Sequence, residues 1–322
     1  MNAIYSNALA KSRENKMLGV ERLYRMIDAP DFLGALKILS EVGFGGVEVD
    51  GDYEKLIERE LDELYAFVKH DSPNENFKKF FLLPNDFHNA EVFIKGKYTL
   101  IDVDFMTVED GLYLKDKLKN DIMLDNYLAY PKSLQNALSK CDLEFANGTA
   151  TGLKVSSLIK KALYSELFAV AKKDKILKEI YEAKADFANV SIALRSRDYS
   201  FTLEHKVVGG TLSESDIKAL TEEPFDSLKE RFKARNEKVN VYSAIEQASL
   251  GKPLAEFEKS AESFAVKKLK AKKYEISGIY PFVNYCFNKM IEIDNVRIVL
   301  AGKQAGLNPI DIKGRLRDSY EG

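Results

Sequence analysis

The chain has 322 residues, of which 45% are hydrophobic, enough for large buried cores, so disorder is not the expectation. Its 48 Lys and Arg nearly balance its 50 Asp and Glu, and the net charge of -2 lacks the basic excess of a dedicated nucleic-acid binder. Cys141 and Cys286 lie far apart with no zinc-ligand spacing, which argues against a disulfide framework and fits a reducing compartment. The opening MNAIYSNALAKSRENK lacks the apolar core of a signal peptide, and no stretch approaches the roughly 20 apolar residues of a membrane span.

In chain order, residues Asn7 to Leu39 form an amphipathic opening that carries Arg13, Leu18, Leu23 and Leu36. Val47 to Val49 reads as a brief extended piece. Between Leu153 and Phe187, apolar residues such as Leu158, Ile159, Leu163, Leu167 and Ile180 recur three and four apart with Lys and Glu between them, a helical pattern. Phe201 to Val208 reads as a second brief extended piece, followed by a turn at Gly209-Gly210. Asp226 to Glu237 is the most polar region but keeps helical periodicity. With only 8 prolines and 18 glycines as punctuation and no Gly/Ser-rich linker, the expectation is an all-α protein of long amphipathic helices.

An internal repeat organises this pattern. Asp86-Phe-His-Asn89-Ala-Glu-Val-Phe-Ile-Lys-Gly-Lys97, Asp186-Phe-Ala-Asn189-Val-Ser-Ile-Ala-Leu-Arg-Ser-Arg197 and Glu292-Ile-Asp-Asn295-Val-Arg-Ile-Val-Leu-Ala-Gly-Lys303 align without gaps. The three asparagines stand 100 and then 106 positions apart, about the size of a small helical domain. Phe87, Ala90 and Ile94, with Phe187, Val190 and Leu194 and with Ile293, Val296 and Leu300, give each segment one inward face; further apolar residues widen it, as expected of a helix surrounded by others. The acidic residue and the Asn, three apart, form one polar patch able to hydrogen-bond a neighbouring backbone or the same patch in another unit. Lys97, Arg197 and Lys303 fall near the C-terminal ends, where the helix dipole favours cations. Helix starts are expected afterwards at Thr107 to Asp110, Ser213 to Asp216 and Asn308 to Asp311. Three helical repeats, approximately 1–105, 106–212 and 213–322, account for the chain, and the terminal helices are free to pack together.

The second motif followed by Gly209-Gly210, the run Glu292-Ile-Asp-Asn-Val-Arg297 through Lys303-Gln-Ala-Gly-Leu307 to Arg315-Leu-Arg-Asp-Ser-Tyr320, and the amphipathic opening resemble the C subunits of V/A-type rotary ATPases, known in eukaryotes as the d subunits. The resemblance covers nearly the whole chain and rests on the triplication together with the C-terminal run. It implies a funnel of three pseudo-symmetric helical bundles, one copy per complex, seated at the cytoplasmic face on the membrane proteolipid ring and receiving the central stalk. Its membrane contact would run through the ring, and it would carry torque without a catalytic group, cofactor or metal.

Sharper readings of single residues have plainer competitors. His70, His88 and His205 lack a helical partner histidine, which favours ordinary structural or surface roles over a metal site. Free cysteines are usually buried and inert. Neither Gly209-Gly210-Thr211 nor Ala301-Gly-Lys-Gln304 matches a phosphate loop. Lys267, Lys268, Lys270, Lys272 and Lys273 are expected on a solvated helix face, in preference to a contact with acidic lipid heads or an acidic partner surface. The acid and Asn pairs occur three times, which suits packing better than catalysis. The competing classes are a stand-alone helical scaffold, which would show short adjacent repeats, and a helical enzyme, which would need titratable groups converging in one pocket.

Overall fold

The computed structural model describes residues 2–46, 52–235, 238–270, 272, 274–275 and 278–318. Among the described residues there is no strand. The helices are α1 (Ala3–Glu14), α2 (Gly19–Asp28), α3 (Phe32–Glu41), α4 (Tyr53–Asp71), α5 (Glu75–Thr99), α6 (Lys115–Met123), α7 (Lys132–Ala146) and α8 (Gly152–Ala171). They continue with α9 (Lys175–Ser196), α10 (Tyr199–His205), α11 (Glu214–Glu222), α12 (Phe225–Phe232), α13 (Val241–Ser249), α14 (Ala255–Lys270), α15 (Tyr280–Gln304) and α16 (Pro309–Arg315). The all-α expectation is met, while Val47 to Val49 lies outside the described residues.

The chain folds into two compact units, one of Met1–Asn74 with Glu258–Gly322 and the other of Glu75–Phe257. In the first, α15 is enclosed by α1, α2, α3, α4 and α16, so helices from both ends of the chain share one core. In the second, α6, α7 and α8 pack on α5, and α8, α10, α11 and α13 pack on α9. Each of the three long helices carries one of the repeated motifs. Phe87, Ala90 and Ile94 of α5 and Ile293, Val296 and Leu300 of α15 are all buried. On α9, Val190 and Leu194 are buried, and the partly exposed Phe187 rests against the Phe257 ring at 5.1 Å. Pro84 lies inside α5, where burial of Phe80, Phe81, Leu83 and Phe87 around it outweighs the missing N–H.

Polar side chains set the start of several helices. The apolar pattern from Leu153 to Phe187 is continuous, but Asp174 divides it: its carboxylate accepts the backbone N–H of Ile176 at 2.8 Å and of Leu177 at 2.9 Å and starts α9 afresh. Two expectations are corrected. Phe201 to Val208 is not a strand, because Asp198 caps α10 by accepting the Phe201 N–H at 2.9 Å, and the helix runs through His205. Thr107 does not open a helix; it closes the short 3-10 turn Asp104–Met106, and α6 begins only at Lys115. Ser213 does form a capping box with Asp216, and Asn308 caps α16 through the Ile310 N–H.

Replacing Asp174 with Ala should lower stability by about 1 kcal/mol, the usual worth of an N-cap. Urea unfolding followed by circular dichroism would show an earlier midpoint with native helix content unchanged.

Candidate functional site

Eight of the nine repeated polar residues sit on α5, α9 and α15, and the ninth, Arg197, is the left-handed C-cap of α9; the asparagines perform one operation three times. The Asn89 amide donates to the Val108 carbonyl and accepts the Val108 N–H, both at 2.8 Å. Asn189 does the same with Val207 at 3.1 and 2.8 Å. Asn295 does the same with Arg317 at 3.1 and 2.8 Å. A carboxamide presents a donor and an acceptor side by side, as a peptide group does, so each Asn satisfies both backbone groups of one residue in an irregular segment. All three asparagines are buried, where no water competes for these bonds.

The acidic residues one turn earlier complete the latch, and here the three motifs diverge. Asp86 accepts the N–H groups of Leu112 and Tyr113 at 2.9 and 3.1 Å. Asp186 accepts the N–H of Thr211 at 2.7 Å, its hydroxyl at 2.6 Å, and the Leu212 N–H at 3.3 Å. Burial still pushes the Asp186 carboxyl above the usual range, since the bonds from Thr211 and Leu212 only partly offset it. A Cβ at Gly111 or Gly210 would collide with Oδ1 of the corresponding Asp, and Gly210 also has φ +92°, so the turn residue is glycine for want of space and by conformation. Glu292, one methylene longer, turns instead to the N-terminal part of the chain and accepts the Leu18 N–H at 2.6 Å.

The basic ends divide as well. Arg197 donates to the Leu220 carbonyl at 2.8 Å and to the Glu223 carbonyl, and Lys303 donates to the Ala29 carbonyl at 2.5 Å, so these two cations stand at the C-terminal ends of α11 and α2. Lys97 instead pairs with Asp125 and, at 3.0 Å, with Asp142. The first motif's departures also find partners: His88 meets the Met106 carbonyl at 2.8 Å, and Glu91 pairs with Lys95 at 2.5 Å and accepts the Ser156 hydroxyl at 2.7 Å.

These latches commit carboxylates and amides to backbone, which leaves them nothing to offer a substrate. His70 is exposed and His205 meets the Ser157 hydroxyl at 2.8 Å. Burial pushes the Cys141 thiol up to about 12 and the Cys286 thiol well above its ordinary value, so neither is a ready nucleophile. No group of three or more potential metal ligands converges among the described residues. Lys267, Lys268 and Lys270 lie exposed on the last turn of α14, with Lys267 paired to Asp318 at 2.7 Å; Lys273 lies outside the described residues.

Sequence reasoning missed two charged clusters whose members are remote in the chain. Lys289 bridges Glu60 at 2.6 Å and Glu292 at 2.8 Å, and Glu60 in turn accepts the Gly45 N–H at 2.6 Å. Burial works against this lysine's charge, but the two carboxylates outweigh it and raise its pKa. Lys289, Glu60, Arg13 and Tyr285 also line a cavity of about 560 Å³ in the first unit. In the second cluster Asp216 accepts bonds from Arg231 at 2.9 Å and Arg235 at 2.7 Å. These bonds and that from Ser213 overcome burial and hold its carboxyl well below the usual range. The only local hint was the spacing of Arg231 and Arg235, one helical turn apart.

Comparison with known proteins places this arrangement. The family model described as ATP synthase (C/AC39) subunit matches residues 6–315. The C subunit of the V-type sodium ATPase of Enterococcus hirae is 20% identical over 332 residues, covering 98% of both chains. The C subunit of the A-type ATP synthase of Methanocaldococcus jannaschii is 22% identical over 344 residues, covering 97% of this chain and 85% of the relative.

Asn189→Leu should cost roughly 2–4 kcal/mol, because it strands the buried N–H and C=O of Val207. Ser191→Ala on the same helix removes a buried hydroxyl that has no partner and should be neutral or slightly stabilising; chemical denaturation of both variants checks the contrast. A second expectation concerns pH. Burial and the nearby Glu262 push Asp294 up to about 6, against Arg297 and Arg317. A raised folded pKa contributes stability below the unfolded value near 3.9 and loses it as pH climbs through about 6. Asp294→Asn should therefore gain about 2 kcal/mol relative to the wild type between pH 4 and 7, read as the difference in unfolding free energy at each pH.

Proposed function

The chain belongs to the ATP synthase (C/AC39) subunit family, a noncatalytic part of rotary ATPases, and we propose that it is the central-stalk connector between the shaft and the membrane proteolipid ring. In this reading it transmits torque for ATP-linked proton or sodium transport, one copy per complex, at the cytoplasmic face. The observation that carries the proposal is the family match from residue 6 to residue 315, which leaves almost none of the chain for another role.

A torque-bearing connector needs stiffness and contact area more than chemistry. Helices enclosing α5, α9 and α15 supply close-packed cores, and the asparagine latches hold the segments that leave them. No helix among the described residues is long and apolar enough to cross a membrane, so membrane contact in this reading runs through the ring. We further propose that Asp86, Asn89 and Lys97, with Asp186, Asn189 and Arg197 and with Glu292, Asn295 and Lys303, are equivalent positions of a triplicated unit. Three pseudo-symmetric bundles, near 1–105, 106–212 and 213–322, would then form a funnel.

Affinity purification of the tagged chain from its native membranes in mild detergent, with mass spectrometry of what accompanies it, is the direct test. Recovery of proteolipid and central-stalk proteins is the expected result. Recovery of intact bait with no rotary-ATPase component would replace the connector with a stand-alone helical scaffold.

A further inference from the structure

One surface of the second unit is more apolar than its fold requires. Leu100 is 91% exposed, Phe105 83% and Leu128 85%, and Ile101, Met106 and Leu124 are also exposed. They come from two segments that lie side by side: Lys97 reaches Asp125, and Lys119 holds Asp104 at 2.6 and 2.7 Å. The backbone is held on both sides, by the Leu100 N–H to the Gly96 carbonyl at 2.9 Å and the Asn126 N–H to the Asp121 carbonyl at 2.8 Å. Leu100 and Asp125 both adopt left-handed backbone, at φ 55° and 56°. For a leucine that conformation costs roughly 1–2 kcal/mol, with no buried contact of its own side chain to offset it.

The latch does not demand such a display. The segment after α9 is held by Asn189 in the same way, yet its exposed large apolar residues among those described are Leu203 and Val208, both less than half exposed. An apolar patch of this kind on a pinned frame marks a contact surface.

The charges around it select the partner. Lys97, Lys115, Lys117 and Lys119 are each paired with a carboxylate, namely Asp125, Glu109, Asp121 and Asp104. Asp102 and Asp116 are exposed and have no cation within 4 Å among the described residues. Against these two carboxylates stands the exposed Lys132, which donates to Gln135 while Gln135 donates to the Leu128 carbonyl, so the rim is acidic on balance. It would repel an anionic bilayer and also a second copy of the same surface, and it fits a protein surface with an apolar centre and a basic edge. Water-facing loops of membrane proteins on the cytoplasmic side carry an excess of Lys and Arg.

We infer that the surface formed by Leu100, Ile101, Phe105, Met106, Leu124 and Leu128, with Asp102 and Asp116 at its rim, is where this chain docks on basic loops of the membrane ring. The inference rests on the connector reading above and adds the surface and the chemistry of its partner. Leu100→Gly with Phe105→Ser removes the apolar centre without cost to the fold, since glycine accepts the left-handed backbone at 100. Asp102→Lys with Asp116→Lys reverses the rim. Leu33→Ser with Ile310→Ser, exposed positions of the first unit, is the control.

Capture of the detergent-solubilised proteolipid ring by each full-length protein should fall at least tenfold, about 1.4 kcal/mol, for the apolar pair and measurably for the charge reversal. It should stay at the wild-type level for the control, with Tm of the apolar pair unchanged or higher. Ring capture by the apolar pair equal to the wild type would overturn the docking surface and leave the connector reading intact. Binding of the wild type to phosphatidylcholine vesicles containing phosphatidylglycerol, lost in the apolar pair, would overturn the choice of a protein partner. Failure of the wild type itself to hold the ring would overturn the connector reading and this inference with it.

Discussion

A peptide group that leaves a long helix inside a packed protein must still find a hydrogen-bond partner, and the structure depends on how that demand is met. Val108, Val207 and Arg317 all lie in irregular segments, and each has both its backbone groups paired by one buried asparagine. Aspartate at that position would repel the carbonyl, and a longer amide would hold the segment farther off. Asp86 and Asp186 extend the hold to the next turn, where Gly111 and Gly210 leave room for the carboxylate. The helices and the segments that follow them are thereby joined in fixed register through a few strong local bonds.

The first unit needs a further device because its core is built from both ends of the chain. Glu292 on α15 accepts the Leu18 N–H at the start of α2, while Lys289 ties Glu292 to Glu60 on α4, and Glu60 holds Gly45. Buried charges of this kind add little net stability over apolar packing, but breaking one leaves the others uncompensated, which makes a misplaced terminus costly. Asp216 does similar work in the second unit, where it caps α11 and holds Arg231 and Arg235 together.

For a noncatalytic part of a larger machine these are the relevant properties. The acidic and basic groups of the three motifs and of the two buried charged clusters are spent on backbone and on one another, and the cysteines are buried. What is left to the outside is a helical frame with surfaces of different character, among them the apolar display around Leu100 and Phe105 and the basic last turn of α14.

By itself the sequence determined the helical class and the inward faces of α5, α9 and α15, because periodicity is a local property that survives without coordinates. The start of α11 was legible for the same reason, as Ser213 and Asp216 are three residues apart. Extended structure at Phe201 to Val208 was misread, since β-propensity there is outweighed by one carboxylate at Asp198. The helix expected at Thr107 failed because the N–H groups of Val108, Leu112 and Tyr113 are taken by α5. Tertiary structure alone decided that Glu292 turns to Leu18, that Lys289 lies between Glu60 and Glu292, and that Leu100 and Leu128 face outward. Each of these joins or separates residues far apart in the chain, and no local pattern encodes a distance that only the folded backbone creates.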